Sequence, residues 1–371
     1  MSDPLVVGSL FSGYGGLDLG IRRVVPKSRM AWCSDIEKGP RLVLAHRFPN
    51  APNLGDVTKI DWAGVEPVDL LAGGFPCQDV SLAGTKAGLK QGTMSGLWIS
   101  MAQAVEILRP ALVLIENVRG LLSGRAANDR DMELCEGCVG DDPNRPLRAA
   151  GAVLGDLARL GYDAQWHVVR ASDAGAPHRR ERVYILAADA ESGGRGVRLA
   201  QDLWEAAREG HPSGDPAGLH PAGGAGRQNP GVKLLPTPQA HDAKGAKTPE
   251  QIAAMRAKVA GVSNLNESVL ELTDWRDRDG CWAWGPHQGI VHVWEQALGR
   301  PAPRPLEPNQ SGTGVRLSRW ADEWMMGLSD GWITAVPGLS WSAVVRMCGN
   351  GVVPQQAELA VRTLLPVACE F

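Results

Sequence analysis

Between residues 5 and 187, short apolar runs alternate with stretches in which apolar residues recur at helical spacing. The runs at 5–10, 29–33, 68–72, 111–115, 164–169 and 182–187 have the length and apolar character of strands. Segments 96–108 and 147–160 carry a helical period and separate several of them. This alternation predicts an α/β fold on a doubly wound parallel sheet. Past residue 188 the texture changes. Residues 189–232 are rich in Gly and Pro without sustained periodicity, which predicts loop. A mixed stretch follows, with a helix expected at 249–259 and a Trp-rich segment at 275–294, and it reads as a smaller, irregular domain. Near the end, Ala357, Ala360, Val361, Leu364 and Leu365 recur at helical spacing, so 354–365 should pack one apolar face on a core. The expected organisation is an α/β domain at 1–187, a small domain at 188–342 that is least regular over about 188–315, and a segment at 343–371 returning to the first domain.

Composition narrows the class. A chain of 371 residues is long for one core. No run approaches the ~20 apolar residues that span a bilayer, and the N-terminus lacks a basic stretch followed by an apolar one. A cytoplasmic, membrane-free protein is expected. Seven scattered cysteines form no disulfide framework. Cys135 and Cys138 are half of a zinc set, but no second pair appears, so an insertion loop without metal is the expected reading. Of thirteen tryptophans, Trp204, Trp275, Trp282, Trp284 and Trp294 cluster in the second region, where they should anchor a core or interface. A net charge of −3 weighs against a generally basic surface, so any nucleic-acid affinity must be local.

Candidate chemistry collects at strand ends. Residues 10–17, Leu-Phe-Ser-Gly-Tyr-Gly-Gly-Leu, follow the first strand and open a helix, placing free N–H groups where a nucleoside cofactor binds. After the second strand come Asp35 and Glu37, positioned to accept from ribose hydroxyls, and Asp56 is placed for an adenine amino group. Each acid alone also fits a solvated turn. Cys77, in Gly-Gly-Phe-Pro-Cys-Gln, follows the third strand, and the strand alone leaves it open as a nucleophile or a buried structural thiol. Glu116 ends the fourth strand on the same edge. Arg180 and Arg182 alternate in an extended segment, which would aim both guanidiniums to one side.

In this order the motifs resemble the DNA cytosine-C5 methyltransferase family, over nearly all of 5–371 except 188 to about 315. Residues 11–16 resemble its S-adenosylmethionine loop, 74–78 its nucleophile loop, 116–118 its glutamate motif, 180–182 its arginine motif and 349–353 its terminal motif, while 316–332 resembles the segment that supports the recognition domain. The resemblance implies a Rossmann-like domain that binds S-adenosylmethionine, and a monomer acting on double-stranded DNA with or without a partner restriction endonuclease. It implies that Cys77 adds to C6 of a flipped cytosine, that Glu116 holds N3 and the exocyclic amine, and that Arg182 and Arg180 contact the base or order the site. Cofactor contacts are expected from Phe11, Gly13, Tyr14, Gly15, Gly16, Asp35 and Ile36, and also from Asp56, Val57, Pro76, Leu97, Asn350 and Val352. DNA contacts are expected from Gln78, Ser81, Lys86 and Lys90, with Lys244, Lys247, Arg256 and Lys258 in a recognition region that is not basic overall. Three positions depart from the family pattern: Met94 stands where an arginine is common, His178 where a glutamine is, and Leu328-Ser329 where Phe-Pro is. Two rivals share these residues, a tRNA cytosine methyltransferase and a catalytically silent DNA-binding member.

Overall fold

The computed structural model describes residues 4–76, 94–123, 149–209, 233–244, 265, 284–309 and 315–369. All six expected strands form, as β1 (Val6–Leu10), β2 (Arg29–Ser34), β3 (Leu70–Gly73), β4 (Leu112–Val118), β5 (Tyr162–Arg170) and β6 (Glu181–Asp189). They make one sheet in the order β2-β1-β3-β4-β6-β5. Its faces are covered by α1 (Gly16–Val24), α5 (Arg195–Glu209) and the terminal helix Pro354–Ala368 on one side, and by α3 (Met94–Leu108) and α4 (Ala149–Arg159) on the other. Alternate residues of β4 therefore enter different cores. Leu112 and Leu114 pack with the α1 side and Val113 and Ile115 with the α3 side, so this central strand is apolar from 112 to 115, before Glu116 and Asn117.

Two expectations are corrected. The sheet is mixed rather than parallel: β1, β2, β3 and β4 run together, but β6 is antiparallel to both β4 and β5. The β5–β6 link at 171–180 holds only the 3-10 turn Ala171–Ala174 and is too short for the crossover that a parallel neighbour needs. Residues 189–232 are not loop throughout either. Helix α5 occupies 195–209, burying Ala200, Leu203 and Ala207 in the first core, and Arg362 of the terminal helix donates to Ala207 O at 3.0 Å. The first core thus reaches past residue 187. The terminal helix matches expectation, with Ala357, Ala360, Val361, Leu364 and Leu365 all in that core.

A second core gathers the irregular half. Trp284 stacks on Trp324 with centroids 6.2 Å apart, Trp294 Nε1 donates to Trp324 O at 3.0 Å, and the helices Gln288–Leu298, Arg319–Met325 and Trp341–Asn350 contribute further apolar groups. Beside it, β7 (Leu306–Pro308) and β8 (Val315–Leu317) pair as a short hairpin. Trp204 packs on the first core instead, while Trp275, Trp282, Cys135, Cys138 and the helix expected at 249–259 lie outside the described residues. Tyr14 and Val43 of the first half also belong to the second core, which joins the two halves through the glycine loop and α2 (Lys38–Arg47).

Candidate active site

The carboxyl ends of β1 to β4 and the start of β6 share one sheet edge, where ligands collect in open α/β folds. On the β1–β2 side, Phe11 bends the chain out of β1 at φ 52°. Gly13 N–H then donates to Asp35 Oδ2 at 2.9 Å, and Glu37 N–H donates to Asp35 Oδ1 at 2.9 Å. Asn53, which sequence reasoning missed, clamps Asp35 from below through both of its backbone groups. Burial raises the Asp35 carboxyl above its ordinary value, and the N–H donors offset part of that rise. Ile36, next in the chain, is an apolar side chain 66% exposed. Asp56 caps the 3-10 turn Val57–Lys59: Oδ1 accepts from Thr58 Oγ1 at 2.7 Å and Oδ2 lies 3.1 Å from Lys59 Nζ. The Thr58 hydroxyl is the main cause of its lowered pKa. Val57 is buried beneath, Leu97 is half-buried on α3 and Pro76 is exposed.

The Tyr14 side chain is buried in the second core and its hydroxyl donates to Val352 O at 2.7 Å, so the phenol braces the loop. A buried phenol needs a partner, and the terminal motif supplies one. Trp332 Nε1 holds Tyr14 O from the other side at 2.9 Å. Gly15 and Gly16 are buried in the same turn, and a Cβ on Gly16 would stand 2.2 Å from Val352 O, so only glycine permits this approach. Asn350 is exposed at the end of its helix and Val352 is half-buried.

On the β3–β4–β6 side the reversed strand has a direct consequence. Antiparallel register sets Val118 opposite Arg182 and Glu116 opposite Tyr184, and Arg182 Nε meets Glu116 Oε1 at 2.9 Å with both side chains largely buried. Burial pushes the Glu116 carboxyl up, and Arg182 followed by Arg180 draws it back. A Cβ on Gly74 would lie 2.8 Å from Glu116 Oε2, so the carboxylate rests against the chain three residues before Cys77. Asn117 Nδ2 donates to Phe75 O at 3.1 Å and fixes the same segment. Cys77, Gln78, Ser81, Lys86 and Lys90 lie outside the described residues, as do Lys247, Arg256 and Lys258.

Arg180 bonds a different set of partners from Arg182. It precedes β6 with φ 28°, which breaks the alternation expected of an extended segment. Its buried guanidinium donates to Pro238 O at 3.2 Å, Gly349 O at 3.0 Å and Gly351 O. Gln356, also unnoticed in the sequence, returns a bond to Arg180 O at 2.7 Å. Two residues earlier, buried His178 bonds Met325 O through Nε2 at 3.1 Å, and burial pushes its pKa down to about 3. This edge therefore holds one buried ion pair and one arginine that tethers the terminal motif.

The C-5 cytosine-specific DNA methylase family model matches residues 5–209, more than half of the chain. The type II methyltransferase M.NlaIV of Neisseria lactamica is 32% identical over 181 residues, covering 47% of this chain and 39% of its own. M1.ScrFI of Lactococcus lactis subsp. cremoris is 32% identical over 183 residues, covering 49% and 41%. The chain thus spans about two fifths of the length of these curated relatives. The crystal structure of the Dnmt2 methyltransferase of S. pombe superposes with TM-score 0.57 at 12% identity, over 98% of this chain and 99% of that one, and shares its fold.

Proposed function

The chain belongs to the C-5 cytosine-specific DNA methylase family, and from that premise we propose that it methylates C5 of cytosine within a specific duplex DNA sequence, using S-adenosylmethionine. One observation carries the reading: the buried Glu116–Arg182 pair lies on the sheet edge against Gly74, three residues before Cys77 in the sequence. The cofactor supplies an electrophilic methyl group. The residues fit it on the β1–β2 side, where Gly13 and its neighbours present backbone, Asp35 offers carboxylate oxygens to a ribose and exposed Ile36 offers an apolar face to a base.

C5 of cytosine is a weak nucleophile, so the ring is activated by addition. The Cys77 thiolate forms a bond to C6, and the displaced electron pair moves into the ring, where Glu116, raised towards its protonated form, donates to N3. Arg182 fixes the Glu116 carboxyl and adds positive charge next to the same ring. The methyl group that the bound cofactor would supply passes to C5 as its sulfur–carbon bond breaks, so the cofactor would leave as a neutral thioether. Transfer of the C5 proton to solvent water returns an electron pair that restores C5=C6 and expels the thiolate. Both ring faces are needed, which requires the cytosine to leave the duplex. Arg180 acts as a positioning residue, holding 349–351 and so the Tyr14–Val352 brace beside the cofactor loop. We assign target recognition to the part of 188–315 that follows α5, since α5 itself belongs to the first core, and pairing with a restriction endonuclease is not required for the chemistry.

Bisulfite sequencing of DNA from cells expressing the protein should show one methylated sequence context. Labelled methyl entering tRNA and not DNA would transfer the reading to the RNA branch. Cys77→Ser should abolish methylation while calorimetric cofactor binding persists; full turnover in that variant rejects the nucleophile, and failure to trap 5-fluorocytosine DNA with folded, cofactor-binding wild type supports a silent DNA binder.

A further inference from the structure

Next to the Glu116–Arg182 pair, Glu181 gathers three arginines. Arg119 NH1 meets its Oε2 at 2.9 Å, Arg170 Nε its Oε1 at 3.0 Å and Arg179 NH2 its Oε1 at 2.8 Å. The carboxylate is 15% exposed, whereas the guanidinium side chains are 61%, 44% and 59% exposed, so the anion is inside and the cations face out. Asp173 accepts from Arg170 N–H at 2.9 Å and offsets part of the charge beside Arg170, which leaves the excess on Arg119 and Arg179. Each guanidinium has five donors, and Glu181 engages one on Arg119 and two on Arg179. The internal carboxylate aims these two side chains while leaving donors and charge for an outside anion.

Strand register locates the cluster. Arg119 directly follows β4, Glu181 opens β6 and Arg170 closes β5, all at the edge that carries Glu116 and Arg182. From β4 to β5 is two strand spacings, about 10 Å. A polyanion whose base reaches Glu116 therefore runs its backbone across these arginines. With a net charge of −3 the protein attracts DNA only through such local excess. Resting on the function proposed above, we propose that Arg119 and Arg179, aimed by Glu181, form a rim that grips the phosphodiester backbone beside the extruded base. Such contacts set position and register and carry no sequence information.

The rim is tested by fluorescence anisotropy of full-length protein on duplex DNA across a salt series, with Arg119→Gln/Arg179→Gln beside wild type. The double variant should bind more weakly to cognate and unrelated duplex alike. Its plot of log affinity against log salt should flatten by about 0.9 for each arginine lost. Cofactor affinity and thermal midpoint, measured in parallel, should match wild type. Arg119→Lys/Arg179→Lys should restore the slope, and Glu181→Gln should tighten binding by freeing charge. A glutamine pair with wild-type slope overturns the rim, and so does a lysine pair as flat as the glutamine pair. The wild-type arm tests the function separately: binding to tRNA alone moves the same slope comparison to that polymer, and binding to neither polymer overturns both readings.

Discussion

The two halves of the sheet edge are built by different means. On the β1–β2 side, the carboxylates are satisfied by backbone N–H groups and turn neighbours with no buried counter-charge: Asp35 accepts from Gly13 and Glu37 N–H, and Asp56 accepts from Thr58 and exposed Lys59. On the β4–β6 side, Glu116 depends on Arg182, and Arg180 depends on Pro238, Gly349 and Gly351. The first is a set of turns that can be altered one at a time. The second is a buried charge system assembled from distant chain segments, where removing one member leaves another stranded. Mutational cost should therefore differ between the sides, and the sharpest test strikes the pair itself.

Arg182→Leu leaves the Glu116 carboxyl buried without its partner, a change that costs about 3–5 kcal/mol when a buried ion pair is broken from one side. Urea denaturation should show that loss, and methyl transfer should disappear. Adding Glu116→Leu should recover most of the stability and none of the activity. A single mutant as stable as wild type would show that the two halves of the edge do not differ as described.

Arg180→Met removes donors from the carbonyls of Pro238, Gly349 and Gly351, at about 1 kcal/mol each, so a loss near 3 kcal/mol is expected. Lysine should recover less than half, because a single ammonium cannot span the carbonyls that a planar fork reaches. As a positioning residue Arg180 should also govern cofactor affinity through Gly351 and Val352. Unchanged calorimetric affinity in a folded Arg180→Lys would refute that link.

The contrast explains what could be read from sequence. The strands, the glycine loop and the terminal helix were legible because each is written within a few residues, as the Ala357-to-Leu365 spacing shows. That Glu116 and Arg182 serve one site was legible only through motif order, and their pairing follows from the reversal of β6, which hydrophobic pattern does not encode. Helix α5 was hidden by its Gly-rich flanks although Ala200, Leu203 and Ala207 repeat at helical spacing. The Tyr14–Val352 brace joins opposite ends of the chain, so no local signal announces it. Arg180 misled because alternation assumes an extended backbone, and a single positive φ cancels it.

His178 extends the charge-system side into pH. Its folded pKa is pushed down to about 3 by burial, against an ordinary 6.5, so the unfolded chain takes up a proton as pH falls while the folded chain does not. Its stability contribution is complete above 6.5 and is lost progressively as pH falls towards 3. Between pH 7 and pH 5 the loss should be about 2 kcal/mol. Denaturation midpoints of wild type and His178→Gln, the residue common in the family at this position, should converge as pH falls; parallel curves would show that His178 is not held neutral.

The smallest effects belong to the turn-built side. Asp56→Ala removes a cap worth about 1 kcal/mol, and the Val57–Lys59 turn stays anchored by buried Val57. Asp35→Asn keeps an acceptor for Gly13 N–H, since an amide oxygen replaces one carboxylate oxygen, so stability should move by less than about 1 kcal/mol. What the amide loses is charge and the second acceptor, which are the features a ribose diol would use. Cofactor affinity should therefore fall by about tenfold, the equivalent of one strong hydrogen bond, without a matching fall in stability. If the two fall together, Asp35 acts only by holding the loop; if affinity falls alone, the carboxylate meets the cofactor while Asn53 and Glu37 keep it aimed.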